Sequence, residues 1–276
     1  MTRLSDAGLL YDAAAGGRLD EVEGMVATGV DLNALTGNDQ NQVTALYGAS
    51  GQGHLEIAKL LLSSGADPNA RSDRLSNALQ AACINNSPAH TKIAELLISH
   101  GADVNAQGGS FGNALQAAAT TPTNKDLVRV LLEHGADPNT TSGFFGYALQ
   151  AAADGEGNDH VIKLLLDRGA DVNQSGGTYG TALQVASEAG FESTVLLLLS
   201  RGADPNVPVC GFHGTALQAA AYRGFRRIVE ILLEHGADVD VQGGARGNAT
   251  QAAMEGHDGP NPELAQFLRS QSKLIS

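Results

Sequence analysis

The arrangement closest to chemistry in this chain is Cys210-Gly211-Phe212-His213, where a thiol lies three residues ahead of an imidazole. A cysteine beside a base can act as a nucleophile, but only when a third group orients the base. No such group is identifiable from spacing, so no catalytic set is assigned. If the chain carries acid–base chemistry, His213, Glu188 and Asp154 are the residues it would use. The other cysteine, Cys83, has no partner at metal-ligand spacing. His100, His134 and His235 each stand beside a glycine that closes a repeated segment, a helix C-terminal position rather than a metal site. The glycine pairs at Gly108, Gly176 and Gly243 lack the Lys-Ser/Thr that would make a phosphate loop. Neither a metal nor a cofactor is expected.

Composition narrows the partners. The 276 residues carry a net charge of −13, which disfavours nucleic acid phosphates and anionic membrane surfaces. Two cysteines cannot build a disulfide framework, and no segment reads as a signal peptide or a membrane span. The expected location is intracellular, cytoplasmic rather than nuclear.

The elements that must position any site are repeats. A Gly-(Ala/Val)-Asp-x-(Asn/Asp) string starts at Gly29, Gly65, Gly101, Gly135, Gly169, Gly202 and Gly236, at intervals of 36, 36, 34, 34, 33 and 34 residues. In fixed phase with it, x-Ala-Leu-Gln recurs at Asn77, Asn113, Tyr147, Thr181 and Thr215, with variants at Thr44 and Asn248. Asn or Thr at the head of this string suits a helix N-cap. The Ala-rich run that follows predicts a slim helix, and Leu127–Leu132 typifies an aliphatic second helix. Glycine closes that helix, Asp and Asn favour a turn, and a Gly-rich hairpin leads to the next unit. A unit of this size cannot bury its own apolar face, so units must stack.

These strings resemble the ankyrin family, whose helices begin Thr-Pro-Leu-His and whose units end Gly-Ala-Asp-Val-Asn. Gln here replaces the family's His and Ala its Pro, a variant similar to arrays common in filamentous fungi. The resemblance runs from about Leu10 to Leu268. It implies an all-α ankyrin-repeat solenoid of about eight helix-pair units with hairpin fingers. One domain over 1–276 is expected: an N-terminal capping unit at 1–35 with a polar outside, six internal repeats over 36–247, and a C-terminal capping unit at 248–276. The Gln series (Gln80, Gln116, Gln150, Gln184, Gln218 and Gln251) is expected to form a hydrogen-bonded ladder, because a buried amide needs partners.

Function must lie in the departures from consensus. Stretched helix–helix loops occur at Asn85–His90, Thr120–Asn124 and Asp154–Asn158. Aromatic rings recur in the hairpins at Phe111, Phe144, Phe145, Tyr179 and Phe212, where they brace the array, present a stacking surface, or do both. The positions late in each slim helix include Asp154, Glu188, Tyr222 and Arg223, and the hairpin tips add Arg74 and Arg246. By resemblance these face a concave groove. The expected function is a protein–protein interaction module, acting as a monomer, whose anionic centre favours a partner with a basic segment. The site residues expected to bind it are Phe111, Phe144, Phe145, Tyr179, Phe212, His213, Tyr222, Arg223, Arg74 and Arg246. The alternative is a small-molecule binder or unusual enzyme with a groove pocket near units five to seven.

Overall fold

The structure is a computed structural model that describes residues 5–37, 42–71, 76–178, 180–207 and 214–272. The chain divides into two compact units, Met1–Phe144 and Phe145–Ser276. Among the described residues the secondary structure is helical, apart from isolated bridges that pin three hairpins at Thr36–Val43, Gly108–Gly112 and Gly176–Gly180.

The first unit stacks four helix pairs: α1 (Asp6–Ala15) with α2 (Leu19–Ala27), α3 (Ala45–Gln52) with α4 (Leu55–Ser63), α5 (Ala78–Ile84) with α6 (Pro88–Ser99), and α7 (Ala114–Ala119) with α8 (Lys125–Glu133). The second repeats the plan with α9 (Ala148–Ala153) and α10 (Asp159–Asp167), α11 (Ala182–Ala189) and α12 (Glu192–Ser200), α13 (Ala216–Arg223) and α14 (Arg226–Glu234), and α15 (Ala249–Met254) and α16 (Pro262–Gln271). The core is small and aliphatic, as the composition requires. Ala82, Ala118, Ala152 and Ala220 are fully buried, as are Leu97, Leu131, Leu165 and Leu232.

One residue type holds successive repeats together. The N-cap Asn77 accepts the Gln80 backbone N–H at 2.9 Å, and Gln80 Oε1 accepts the Asn77 N–H at 2.7 Å. This reciprocal box leaves the Gln80 amide free to reach forward. Its Nε2 donates to the carbonyls of Ala106, Gly108 and Gly112, at 3.1, 3.2 and 3.1 Å, in the next hairpin. Gln116 likewise donates to Thr140 O and accepts from the Ser142 hydroxyl. In the second unit, Gln150 reaches Gln174 O and Gly180 O, Gln184 reaches Gly214 O, and Gln218 reaches Val241 O and Gly247 O. The expected ladder is present at five of its six positions. Gln251 is exposed; its Oε1 accepts the Asn248 N–H in a local box.

Asparagine makes a second, parallel ladder, which the sequence reading did not include. Asn69 Oδ1 accepts the Asp103 N–H at 2.8 Å while its Nδ2 donates to Gly101 O at 2.9 Å. Asn105, Asn173 and Asn206 repeat both bonds to the following turn. Asp240 fills the slot in the last such turn and accepts from the Ser272 hydroxyl at 2.7 Å. The second helix of each pair from α2 to α14 closes in a Schellman motif. After α4, for example, Gly65 N–H reaches Leu62 O and Ala66 N–H reaches Leu61 O, with Gly65 at φ +95°.

One cap departs from the pattern, and one expectation needs correction. Tyr147 heads α9 but gives no side-chain cap, because a phenol cannot fold back onto the helix; its hydroxyl instead accepts from Gln174 Nε2 at 2.7 Å. The outer face of α1 and α2 is not wholly polar. Leu10 turns into the core, which leaves Leu9 45% exposed beside Met25 in a 460 Å³ hollow.

Ser187 in α11 is fully buried, and its hydroxyl has no hydrogen-bond partner among the described residues. The same register holds alanine in α7, α9 and α13 (Ala119, Ala153, Ala221). An unsatisfied buried hydroxyl costs about 1–3 kcal/mol. Ser187→Ala is therefore expected to raise the unfolding free energy by about 1 kcal/mol in urea denaturation. No change or a loss would mean that the hydroxyl is satisfied.

Candidate functional site

In the second unit each slim helix ends on a position that varies from repeat to repeat. The residue seven after the N-cap is Asp154 at the end of α9, Glu188 in the last turn of α11, Tyr222 in α13 and Glu255 after α15. The ends are set by short breaks. Gly190 and Gly224 adopt φ +88° and +75°, which stops α11 and α13 and leaves Glu188, Tyr222 and Arg223 on the final turn.

Long-range contacts then gather a cluster on Tyr222. The Arg246 guanidinium carbon lies 3.5 Å from the Tyr222 ring centroid, a cation–π contact. His257 meets the same ring edge-to-face, with centroids 5.8 Å apart, and its backbone N–H donates to Tyr222 O at 2.8 Å. Arg246 comes from the hairpin before α15, one residue ahead of Gly247 at φ +72°. There it takes the place that Phe111 and Phe145 hold before Gly112 and Gly146.

Glu188 feels this whole group. Burial pushes its carboxyl above the ordinary glutamate value; Arg223, Arg246 and His257 pull it down, and Asp154 pushes it further up. Burial also raises Asp154. The structure therefore brings Glu188, Asp154, Arg223, Tyr222 and Arg246 together, and adds His257. Sequence reasoning missed His257 because it lies in the non-consensus loop before α16. Tyr179, Phe212, His213 and Arg74 lie outside the described residues. Of the hairpin rings in the first unit, Phe111 is half-buried and Phe144 is 51% exposed; Phe145, in the second unit, is half-buried.

The sign of the Glu188 shift has a testable consequence. A carboxyl whose folded pKa lies above its unfolded value favours folding while protonated, and that stability is lost as the pH rises through the shifted value. Glu188→Gln is expected to raise Tm slightly at pH 7. The gain should shrink as the pH falls through the ordinary carboxylate range, where the wild-type side chain also becomes neutral. Because Glu188 is half-buried, solvent screening keeps the effect small. Scanning calorimetry of both proteins across that range checks it, and a lower Tm at pH 7 would show that the arginines outweigh burial.

Beside the cluster, an open 420 Å³ cleft is lined by Tyr222, Arg223, Asp258, Asn261 and Glu263, among others. Asp154 and Glu188 are not among its lining residues. Among the described residues no group of His, Cys, Asp and Glu is arranged to hold a metal ion. Cys83 is fully buried in α5, which pushes its thiol up, away from the reactive thiolate. His100, His134 and His235 cap their helices, each with Nδ1 within 2.9 Å of the carbonyl four residues back. The stretched loops of the first unit meet where Asn86 Nδ2 donates to Thr123 Oγ1 at 2.6 Å.

The family model for ankyrin repeats matches the chain in three copies, over residues 5–72, 70–142 and 149–243. The chain belongs to the ankyrin-repeat family and is an all-α ankyrin-repeat solenoid. Ankyrin repeats are generally protein–protein interaction modules. No curated protein matches the chain. No helix among the described residues is long and apolar enough to cross a membrane.

Proposed function

We propose that the chain is a protein–protein interaction module that grips a partner segment along the slim-helix ends of its second unit. The observation that carries this reading is the cluster of Asp154, Glu188, Tyr222, Arg223, Arg246 and His257. These residues depart from the repeat consensus and contribute little to the core, yet contacts from separate repeats gather them. Burial raises both carboxyls from their ordinary values, and a cation from outside would stabilise their charged forms, so the partner presents a basic side chain to Asp154 and Glu188. In the first unit, considered by itself, Phe144 is half exposed in its hairpin and offers an apolar contact.

The test is affinity capture with the wild type and with Asp154→Lys/Glu188→Lys, after both are shown to melt cooperatively. Loss of the captured partners in the double variant is the expected result. An unchanged set of partners would overturn the reading, since a basic segment could not tolerate two reversed charges.

A further inference from the structure

A recurring joint between repeats sets a ring against a glycine that follows a slim helix. A Cβ added at Gly17 would meet the His54 ring at 2.7 Å, at Gly53 the His90 ring at 3.0 Å, and at Gly190 the Phe225 ring at 2.9 Å. His54 and His90 also bring Nε2 to the carbonyl two residues before their glycine, Ala15 O at 3.1 Å and Gly51 O at 3.2 Å. These ring positions lie three residues before Ile57, Ile93 and Ile228; three before Leu264, at the last step, stands Asn261. There the nearest atom to a Cβ on Gly224 is Asn261 Nδ2, at 3.7 Å. The backbone still suits a ring, for Asn261 has ψ 82°, against 77° at His54 and 78° at Phe225. Asn124 and Asn158 hold this register at two other steps, but both are buried, whereas Asn261 is half-buried.

We infer that the cleft at Gly224 receives an aromatic side chain of the partner, seated where the earlier steps seat the chain's own ring. This rests on the groove reading above and deepens it, since Tyr222 and Arg223 belong to the cluster and also line the cleft. The cleft measures 420 Å³, and Gly224, Pro260, Asn261 and Pro262 form more of its wall. The hollow beside Gly17, which has His54 for a wall, is smaller at 330 Å³. Bare glycine backbone and proline rings give an entering ring contact without a long side chain to displace. An aromatic side chain buries about 150–250 Å², which makes it an effective anchor. The class of ring follows from one carbonyl. Tyr222 O, the counterpart of Ala15 O and Gly51 O, already accepts the His257 N–H at 2.8 Å. The occupant therefore needs no imidazole donor, and phenylalanine, tyrosine or tryptophan fits. Arg223, Asp258 and Glu263 make the walls mixed in charge, so shape does the selecting.

A ring supplied by the chain itself is the competitor that tests this. Asn261→Phe and Asn261→His bring to the last step the residue types that serve Gly190 and Gly17, and each is first shown to melt cooperatively. The probe is N-acetyl-tyrosinamide, with N-acetyl-leucinamide as the control. Both are titrated into the full chain in the millimolar range while NMR follows the amides of Gly224, Gly256 and Gly259. The tyrosine probe should shift these amides in the wild type, the leucine probe should not, and either variant should remove the shift. Partners captured by the wild type should be held about tenfold more weakly by the Asn261 variants. Equal shifts from the two probes, no shift in the wild type, or a shift that survives in a folded Asn261 variant would overturn the proposal. Partners kept by the Asn261 variants but lost by Asp154→Lys/Glu188→Lys would overturn it and leave the groove reading intact. Partners kept by all three would overturn both.

Discussion

Replacing Gln80 with alanine is expected to lower the unfolding free energy by about 3–4 kcal/mol. The side chain is 2% exposed and satisfies groups at both of its ends. Its Oε1 accepts the Asn77 N–H, and its Nε2 serves three carbonyls of the hairpin over residues 106–112. Water cannot easily replace the amide at a site this enclosed, so truncation leaves buried carbonyls unpaired and opens a void. An unpaired buried group costs about 1–3 kcal/mol, and the cavity adds to it. Gln80→Glu isolates the donor. It keeps the shape and the acceptor but sets a carboxylate against three carbonyl oxygens, and it should be at least as damaging at neutral pH. Urea denaturation of both variants against wild type is the measurement. A loss below 1 kcal/mol for the alanine variant would show that the amide is not what couples the repeats.

Gly146→Ala is expected to cost about 2–4 kcal/mol, although it adds one methyl group. Gly146 sits at φ +84°, where a side chain is strained by about 1–2 kcal/mol. The second contribution is collision. A Cβ at this position would lie 2.6 Å from Gly177 N and 2.7 Å from Gly176 C, which are backbone atoms of the next hairpin. Backbone cannot rotate aside as a flexible side chain can, so one hairpin must move from the other. Gly157 provides the control. It has φ +73° with nothing within 4 Å, so Gly157→Ala should show the strain without the clash. Equal losses in the two variants would mean that the hairpins do not need their close approach.

These two results bear on how much of the molecule was readable in advance. The helix pairs, their N-caps and the glutamine ladder were legible because each repeat restates them. Five caps in helices α5, α7, α11, α13 and α15 carry the Asn or Thr the pattern called for, each accepting from the backbone of the following Gln. Tyr147 shows the limit of that reading. It occupies a cap position by sequence alignment and serves another bond by chemistry. The asparagine ladder was hidden for a different reason: Asn in a turn is explained well enough by its own turn, so nothing pointed to a bond with the next repeat. The site divides in the same way. Asp154, Glu188, Tyr222 and Arg223 were visible as breaks in a regular register. The stacking of Arg246 on Tyr222 joins residues from different repeats, and His257 sits in a loop with no consensus to depart from. No local pattern encodes such meetings.

The glutamines have a further consequence. Each of the five bridging glutamines lies in a helix of its own repeat and grips the hairpin of the repeat after it. The asparagines reach in the same direction, toward the following turn. Each of the ladder bonds described above points forward, so each repeat is host to its successor and guest of its predecessor. Within either unit the stack therefore has a grain, like wood. Damage at one repeat loosens what lies on its C-terminal side first, and the part before it keeps its own clasps intact.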